Sequence, residues 1–245
     1  MDNESKKSNS LERDEVDLQP PYHFKCVQCG NCCSDKNTIV NLTYSDILRI
    51  QWEKKLDFRG LLDIVGFYVF DEPVSDEQKE KMVLPHIETQ NGQAFLGLRK
   101  NDSGSCIFLD KNNKCKIYKA RPDICRTFPF HFHSIPHKDQ MEKMNVTINY
   151  ATKAIEFCPG IKKSSPLIDN TRWMIVGKLT LENIIRDAIF IKRWNEAVKS
   201  NKVQPIAENY LKIITDFSQS PKKHQKKTGK KNLSYKQRIR KKIPK

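Results

Sequence analysis

The chain contains eight cysteines, and four of them lie close together between positions 26 and 33. This cluster is Cys26-Val-Gln-Cys29-Gly-Asn-Cys32-Cys33, with the pattern C-x2-C-x2-C-C. Two-residue gaps let one tight loop turn several thiolates toward a common centre, and Gly30 can adopt the positive φ that such a loop often needs. Because incidental core thiols seldom lie so close together in sequence, the cluster predicts a metal-binding loop.

The other four cysteines, Cys106, Cys115, Cys125 and Cys158, are spread along the chain. Eight thiolates can fill two four-coordinate sites, or hold one cluster together with a smaller site. All-sulfur coordination suits an iron–sulfur cluster, of which the 4Fe–4S type is one candidate, or zinc. Consecutive side chains tend to point in different directions, so Cys32 and Cys33 are not expected to ligate one tetrahedral ion. Either the two serve different centres, or one of them is a redox or exchangeable ligand.

The sequence predicts a protein of the reducing cytoplasm. The segment 1–21 is polar and charged, which is not typical of a secretion signal. No apolar run approaches the ~18 residues that a membrane-spanning helix needs. In a reducing compartment, clustered cysteines are metal ligands or redox groups more often than disulfides.

The formal net charge of +15 is concentrated at the C-terminus. The segment from Pro221 to Lys245 contains twelve Lys or Arg and no Asp or Glu, so positions 1–220 together carry only 15 − 12 = +3. Such a tail can neutralise phosphates without reading bases, so contact with RNA or DNA is one interpretation and a solvated tail is the other. The candidate contact residues are Lys222, Lys223, Lys226, Lys227, Lys230, Lys231, Arg238, Arg240, Lys241 and Lys242.

The predicted fold is α+β, with a small antiparallel sheet and cysteine-rich loops around a metal centre, flanked by helices. Thr43-Tyr44-Ser45-Asp46 is typical of a helix start, and the apolar stretch 58–70 predicts a second helix. Asn91-Gly92 between alternating segments predicts a hairpin with a type I′ turn. The remaining predicted elements are a second hairpin pairing 106–109 with 115–118, a helical turn at 122–126, a strand over 144–154 and helices over 170–217.

Four parts are expected along the chain. They are a disordered leader over residues 1–21, a cysteine-cluster metal-binding domain over 22–165, C-terminal helices packed on it over 166–218, and a disordered basic tail over 219–245.

Two sequence blocks carry a family resemblance. One is the C-x2-C-x2-C-C cluster, and the other runs from Cys115-Lys-Ile-Tyr118 through Arg121-Pro-Asp-Ile-Cys125-Arg-Thr-Phe-Pro129. Together they resemble the YkgJ-type cysteine-cluster family, a domain thought to chelate zinc or iron, over roughly positions 24–160. That family is similar to a domain of flagellin lysine N-methylases, so the resemblance implies metal-dependent protein lysine methylation as one function.

Several side chains near the cysteines are candidates for tuning the metal. Arg121 and Arg126 flank Cys125, where they can stabilise a negatively charged cluster or form ordinary ion pairs. Tyr118 and Phe128 are expected to shield the site from water, and ordinary core packing explains them equally well. His131 and His133 alternate in a strand-like segment and are expected to share one face. They are candidates as metal ligands or proton carriers, and two partly exposed histidines without such a role are the alternative.

Three function classes remain open from the sequence. The first is an iron–sulfur protein in electron transfer or sensing. The second is a zinc-stabilised module that binds RNA or DNA through its tail. The third is a metal-dependent methyltransferase, for which no catalytic residue is predicted.

Overall fold

A computed structural model describes residues 18–70, 72, 74–75, 82–135 and 145–219. Most of the predicted leader, and the basic tail with all its candidate contact residues, lie outside this part of the chain. The described residues form helices and two small antiparallel sheets, which confirms the α+β class. Where the described helices are concerned, none is long and apolar enough to cross a membrane.

The N-terminal half places a three-stranded sheet behind the cysteine loops. After the short helix α1 (Asn31–Ser34), the described elements are α2 (Tyr44–Lys54), α3 (Phe58–Leu62), β1 (Val65–Val69), β2 (Ile87–Thr89) and β3 (Gly92–Leu98). The strand order is β1-β3-β2, with Val65 opposite Leu98 and Ile87 opposite Ala94. The predicted helix start at Thr43 is confirmed as a capping box, in which the Thr43 and Asp46 side chains each accept the other's backbone N–H.

The C-terminal half adds a two-stranded sheet and two longer helices. A 3₁₀ turn (Tyr118–Ala120) leads to α4 (Asp123–Thr127), β4 (Phe130–Ile135), β5 (Asn145–Tyr150), α5 (Thr152–Phe157), α6 (Asn170–Lys199) and α7 (Ala207–Gln219). Helix α6 docks on β2 through Asn195, whose side chain accepts from the Glu88 N–H and donates to the His86 carbonyl. The helices predicted over 170–217 and the helical turn near residue 122 are therefore confirmed.

Two predicted elements are wrong in part. The apolar stretch 58–70 is not one helix, because α3 ends at Leu62 and Val65–Val69 pairs with β3 as a strand. Alternating Val65, Phe67 and Val69 suit a strand, and Gly60 and Gly66 weaken a helix. The strand predicted over 144–154 ends at Tyr150, where α5 follows.

Both predicted hairpin turns also differ from expectation. The hairpin of β2 and β3 exists, but its loop is Gln90-Asn91, where neither residue has the positive φ that a type I′ turn requires. The segments 106–109 and 115–118 come together as predicted, but their pairing is short. Leu109 and Cys115 form one antiparallel β-bridge, the Lys116 N–H donates to the Phe108 carbonyl, and the Asp110 N–H donates to the Lys114 carbonyl. The Asp110 carboxylate accepts from the N–H groups of Asn112 and Lys114, which shapes the loop.

Two hydrophobic clusters result. The larger one joins α2, the three-stranded sheet, α6 and α7 around Ile47, Leu96 and Tyr210. The smaller one is rich in aromatic rings and joins the two-stranded sheet to residues 22–24 and to Trp173 of α6.

Candidate metal centre

All eight cysteines line one cavity of about 70 Å³. Its walls come from residues 24–33, 113–128 and 157–158, together with Leu98 and Cys106. The fold thus brings thiols that are far apart in sequence, such as those of Cys26 and Cys158, to the same cavity. Apolar side chains make up most of the rest of the lining, including Phe24, Ile117 and Phe157.

The C-x2-C-x2-C-C loop is shaped by two residues with left-handed backbone. Gln28 has φ 54° and Gly30 has φ 83°, after which α1 begins at Asn31. A Cβ atom on Gly30 would stand 2.8 Å from the Asn113 Cβ, so glycine lets the first cysteine loop approach the segment that begins at Asn113. The expectation that Gly30 supplies a positive φ is confirmed.

Cys32 and Cys33 do not diverge as expected. Their sulfur atoms lie 3.9 Å apart within α1. The hydrogen bond with Cys33 lowers the pKa of Cys32 to about 7, and the nearby Arg121 charge acts in the same direction. The same contact and burial raise the pKa of Cys33, so Cys32 is the thiol of this pair that ionises first.

One wall of the cavity is tied to the larger cluster. The Cys106 N–H donates to the Cys33 carbonyl at 2.8 Å, and the Leu109–Cys115 bridge brings Cys115 alongside. Cys106 is only 8% exposed and belongs to the larger cluster, against which Cys33 and Cys115 also pack. Burial raises the pKa values of Cys106, Cys115 and Cys125, and the nearby Cys32 charge adds to all three shifts.

The opposite wall is tied to the smaller, aromatic cluster. The Lys25 N–H donates to the Gly160 carbonyl at 3.2 Å, and the Asn31 side chain donates to the Phe157 carbonyl at 3.0 Å. These bonds hold the first cysteine loop against Cys158, which packs on the aromatic cluster. Burial raises the pKa of Cys158, and Cys29, Cys32 and Cys26 are the charges that add to the shift.

A buried ionic network stands behind Cys125. The Arg49 guanidinium donates to the carboxylates of Asp46 and Asp123 and, at 2.8 Å, to the Arg121 carbonyl. The Asp123 N–H donates to Asp46, and the Asn183 amide of α6 donates to Asp123. The network therefore fixes the turn that carries Arg121 and Cys125 against α2 and α6.

The four tuning candidates fall in different places. Arg121, Tyr118 and Phe128 line the cavity, and the Arg121 guanidinium lies 3.8 Å from the centre of the Tyr118 ring. Arg126 does not line it. Its guanidinium lies 3.6 Å from the Asp123 carboxylate, so Arg126 forms the ordinary ion pair that was the alternative to a place beside the metal.

The histidines lie away from the cavity lining. His131 and His133 share one face of β4, with ring centres 4.1 Å apart, so their predicted alternation is confirmed. His23 contacts the Ser165 carbonyl through Nδ1 at 2.7 Å. The lining thus contains sulfur donors but no histidine or carboxylate.

The donor chemistry fits zinc or an iron–sulfur cluster, since both accept all-sulfur coordination. A single zinc ion has Zn–S bonds of ~2.3 Å, which place tetrahedral sulfurs about 3.8 Å apart. Among the described Cys, His, Asp and Glu side chains, no group of three or more is arranged to hold one metal ion. As they stand, the thiols surround a shared space without converging on a single point.

A family model matches residues 25–159, a range that includes every cysteine. It describes the CxxCxxCC family, named as a "putative zinc- or iron-chelating domain". The chain belongs to the CxxCxxCC family. The match confirms the resemblance predicted from the two sequence blocks and identifies a metal-binding cysteine domain.

An uncharacterized protein of Methanocaldococcus jannaschii is 30% identical to the chain over 141 residues. The aligned region covers 57% of the chain and 58% of that relative, so the chain spans little more than half the relative's length. No solved structure matches the chain.

Sequence reasoning missed the residues that support the CxxCxxCC cavity from behind. Arg49 and Asp46 lie far ahead in sequence of the turn they hold, and no local pattern connects them to it. One signal was available, because Asp46 belongs to the Thr43-Tyr44-Ser45-Asp46 helix start from which α2 was predicted. Asp123 could be singled out only as part of the Arg-Pro-x-x-Cys block.

Proposed function

We propose that the chain is an iron–sulfur protein whose eight cysteines hold the iron in two groups of four thiols. The observation that carries this proposal is the gathering of all eight thiols around one apolar cavity without histidine or carboxylate ligands. An apolar shell and the adjacent Arg121 suit a cluster with negative charge.

The bonding within each wall supports a division of the thiols. The inner group is Cys33, Cys106, Cys115 and Cys125. The Cys33–Cys106 backbone bond and the Leu109–Cys115 bridge bring the first three together, and the Arg49 network holds the turn that carries Cys125. The outer group is Cys26, Cys29, Cys32 and Cys158, which the Lys25–Gly160 and Asn31–Phe157 bonds bring together. Cys32 and Cys33 stand where the two groups meet.

When bound, an iron–sulfur cluster accepts and releases single electrons, and the protein sets its potential through charge and solvent exposure. The chain supplies thiolate ligands, a cation at Arg121 and an apolar shell. Cys26 and Cys32 are exposed, so the outer group is open to a reductant, an oxidant or a small signal molecule. These features support electron transfer or sensing as the role.

Metal analysis tests the proposal directly. The full chain is purified without oxygen, and iron, zinc and acid-labile sulfide are measured together with the visible spectrum. Iron and sulfide in near-equal amounts, with absorbance near ~400 nm, are expected for thiolate-bound clusters. Stoichiometric zinc in a colourless protein would overturn the proposal and leave the metal with a structural role.

Single Cys→Ser variants test the division into groups. Cys106→Ser should remove the iron of the inner group only, and Cys158→Ser that of the outer group only, so each variant keeps about half of the wild-type iron. Ser164→Ala, an exposed change near Cys158, serves as the control and should keep all of it. Complete iron loss in every cysteine variant would contradict two separable groups.

The basic tail carries a second candidate function, contact with RNA or DNA. Twelve cations without an acid between Pro221 and Lys245 support it through phosphate neutralisation. Filter binding of the full chain is compared with a chain that ends at Gln219. The full chain should bind with a steep salt dependence, and equal, salt-insensitive binding by both would remove this function.

A further inference from the structure

The cavity is bordered by a strongly asymmetric charge distribution. Segments 24–33 and 113–128, which supply most of the lining, contain six Lys or Arg and one acid, Asp123. Asp123 is buried and already bonded to Arg49. Positions 1–220 carry a net charge of +3, whereas these two segments alone carry +5 and the remaining positions of that range sum to −2. The positive charge beside the cavity therefore does not reflect a generally basic protein.

Four lysines of these segments form what we call the basic rim, Lys25, Lys114, Lys116 and Lys119. Each is exposed and directly adjacent in sequence to at least one lining residue, as Lys116 is to Cys115 and Ile117. The Lys114 ammonium reaches the Gln28 carbonyl of the first cysteine loop at 3.3 Å. Within the described part of the chain, none of the four has an ion pair.

Several of the lining residues next to these lysines in sequence are apolar or aromatic. Val27 is 47% exposed and Tyr118 is 37% exposed, and both also line the cavity. Phe24 and Phe157 extend the apolar lining at half-buried positions. An apolar centre with a charged border is the usual arrangement of a protein–protein interface. A single-stranded nucleic acid can also stack bases on exposed rings, so RNA is the competing occupant in the test below.

We infer that the basic rim is the docking surface for a protein with an acidic face, which meets the outer thiol group through the open side of the cavity. The inference rests on the proposed function, because it assigns a redox partner to the same metal site. Complementary charge speeds the encounter and fixes the orientation, and a small apolar contact is enough for a transient complex. Exposed Cys26 and Cys32 lie where such a partner would approach.

A defined acidic redox protein serves as the probe, a fluorescently labelled plant-type 2Fe–2S ferredoxin. Its affinity for the full, metal-loaded chain is measured by anisotropy at low and at physiological salt. The variant Lys25→Glu/Lys116→Glu/Lys119→Glu leaves the Lys114 contact intact. The control Lys54→Glu/Lys199→Glu/Lys202→Glu makes the same charge change at exposed lysines that adjoin no lining residue.

Wild type and control should bind the ferredoxin alike, and affinity should fall about 10-fold between low and physiological salt. The rim variant should bind at least ~10-fold more weakly than the control at low salt, since three attractive charges become repulsive. Equal binding by rim variant and control, or no binding by wild type, would overturn the inference. A short single-stranded RNA is titrated in parallel, and rim-dependent binding of the RNA alone would also overturn it.

Two further measurements keep the outcome interpretable. Iron content and thermal midpoint are recorded for each variant. If the glutamate variant loses metal, the neutral Lys25→Gln/Lys116→Gln/Lys119→Gln variant replaces it, with an expected loss of about 3-fold. Because the readout is binding, a chain that holds zinc would contradict the proposed cluster while the rim is still tested.

Discussion

The two walls of the cysteine cavity are built on cores of very different size. Among the described residues, the larger cluster contains 19 buried side chains and includes Cys106 itself, whereas the aromatic cluster contains six. Buried apolar area is the main source of stability, so the wall on the larger cluster is the more firmly held. The wall on the aromatic cluster carries the exposed loop with Cys26.

This difference in stability suits the two walls to different roles in metal binding. A ligand set fixed to a large core keeps its geometry when the metal is reduced, oxidised or removed. A ligand set on an exposed loop exchanges contacts with solvent and with partners more readily. The inner thiols therefore suit retention of metal, and the outer thiols suit access to it.

The comparison of Cys106→Ser with Cys26→Ser should show the largest effect. Loss of an inner ligand removes metal that links segments of the larger core, and we expect a loss in unfolding free energy on the order of 5 kcal/mol. Cys26→Ser changes an exposed residue and should cost about 1–2 kcal/mol. Urea unfolding without oxygen measures both, and equal losses would show that the walls do not differ.

The network behind Cys125 offers the next test of the firmer wall. Arg49→Ala leaves the buried Asp46 carboxylate without its cation and Asp123 with only the more exposed Arg126, which should cost about 3 kcal/mol. Release of inner-group metal to a chelator should become faster, because the turn from Arg121 to Cys125 loses its anchor. Unfolding midpoints and release rates are the measurements.

Two matched variants frame that experiment. Arg59→Ala removes an exposed arginine of α3 and should change stability by less than about 0.5 kcal/mol. Arg49→Lys keeps the charge but not the forked geometry, so it should restore only part of the loss. A wild-type release rate in Arg49→Ala would show that the network does not position Cys125.

Local sequence patterns predicted the elements that local physics determines. Three of these features depend only on neighbours within a few residues. They are the helix start at Thr43, the hairpin whose second strand begins at Gly92, and the alternation of His131 and His133. The prediction failed where a distant partner or a side chain decides. Strand β1 forms because β3 pairs with it, and the pairing of 106–109 with 115–118 is limited to one β-bridge beside the loop that Asp110 organises.

For the candidate site, the sequence predicted the thiols but not their surroundings. The spacing of Cys26, Cys29, Cys32 and Cys33 predicts a ligand loop, and the other four cysteines lie within the range of the family match. The sequence could not show that the Cys32 and Cys33 sulfur atoms lie 3.9 Å apart, because that distance depends on the short helix α1. The Arg49 network joins α2, α4 and α6, a juxtaposition that arises only from the tertiary fold.

The pH dependence of stability gives a smaller effect on the same wall. Asp187 of α6 is fully buried and accepts the Tyr44 N–H at the start of α2. Burial raises its pKa to about 7, so between pH ~4 and ~7 the folded chain holds a proton that the unfolded chain has lost. Stability from this group is therefore greatest below pH ~4 and declines as the pH rises to about 7.

Asp187→Asn should remove this decline. The difference in unfolding free energy between wild type and variant should change by about 2 kcal/mol from pH ~5 to pH ~7. The exposed Asp63→Asn change provides the control and should leave the pH profile of wild type unaltered. Parallel profiles for wild type and Asp187→Asn would mean that Asp187 is already ionised at the lower pH.

The smallest effect is expected on the aromatic side, where Gly177 of α6 packs against Phe132 of β4. A Cβ atom at Gly177 would lie 2.1 Å from Phe132 Cδ1, so the ring and the helix must separate in Gly177→Ala. Overpacking costs about 1–3 kcal/mol, and the gain in helix propensity returns up to ~1 kcal/mol. We expect a net loss of about 1 kcal/mol, measured by urea unfolding.

A second substitution distinguishes the crowding from other causes. Phe132→Leu makes room for the new methyl group, so the double variant should lose less stability than the sum of the two single variants. Inner-group metal should stay at the wild-type level in all three, because the inner thiols are anchored on the other core. If Gly177→Ala instead released inner-group iron, the two walls would be mechanically coupled, and the firmness of the inner wall could not be attributed to the larger cluster alone.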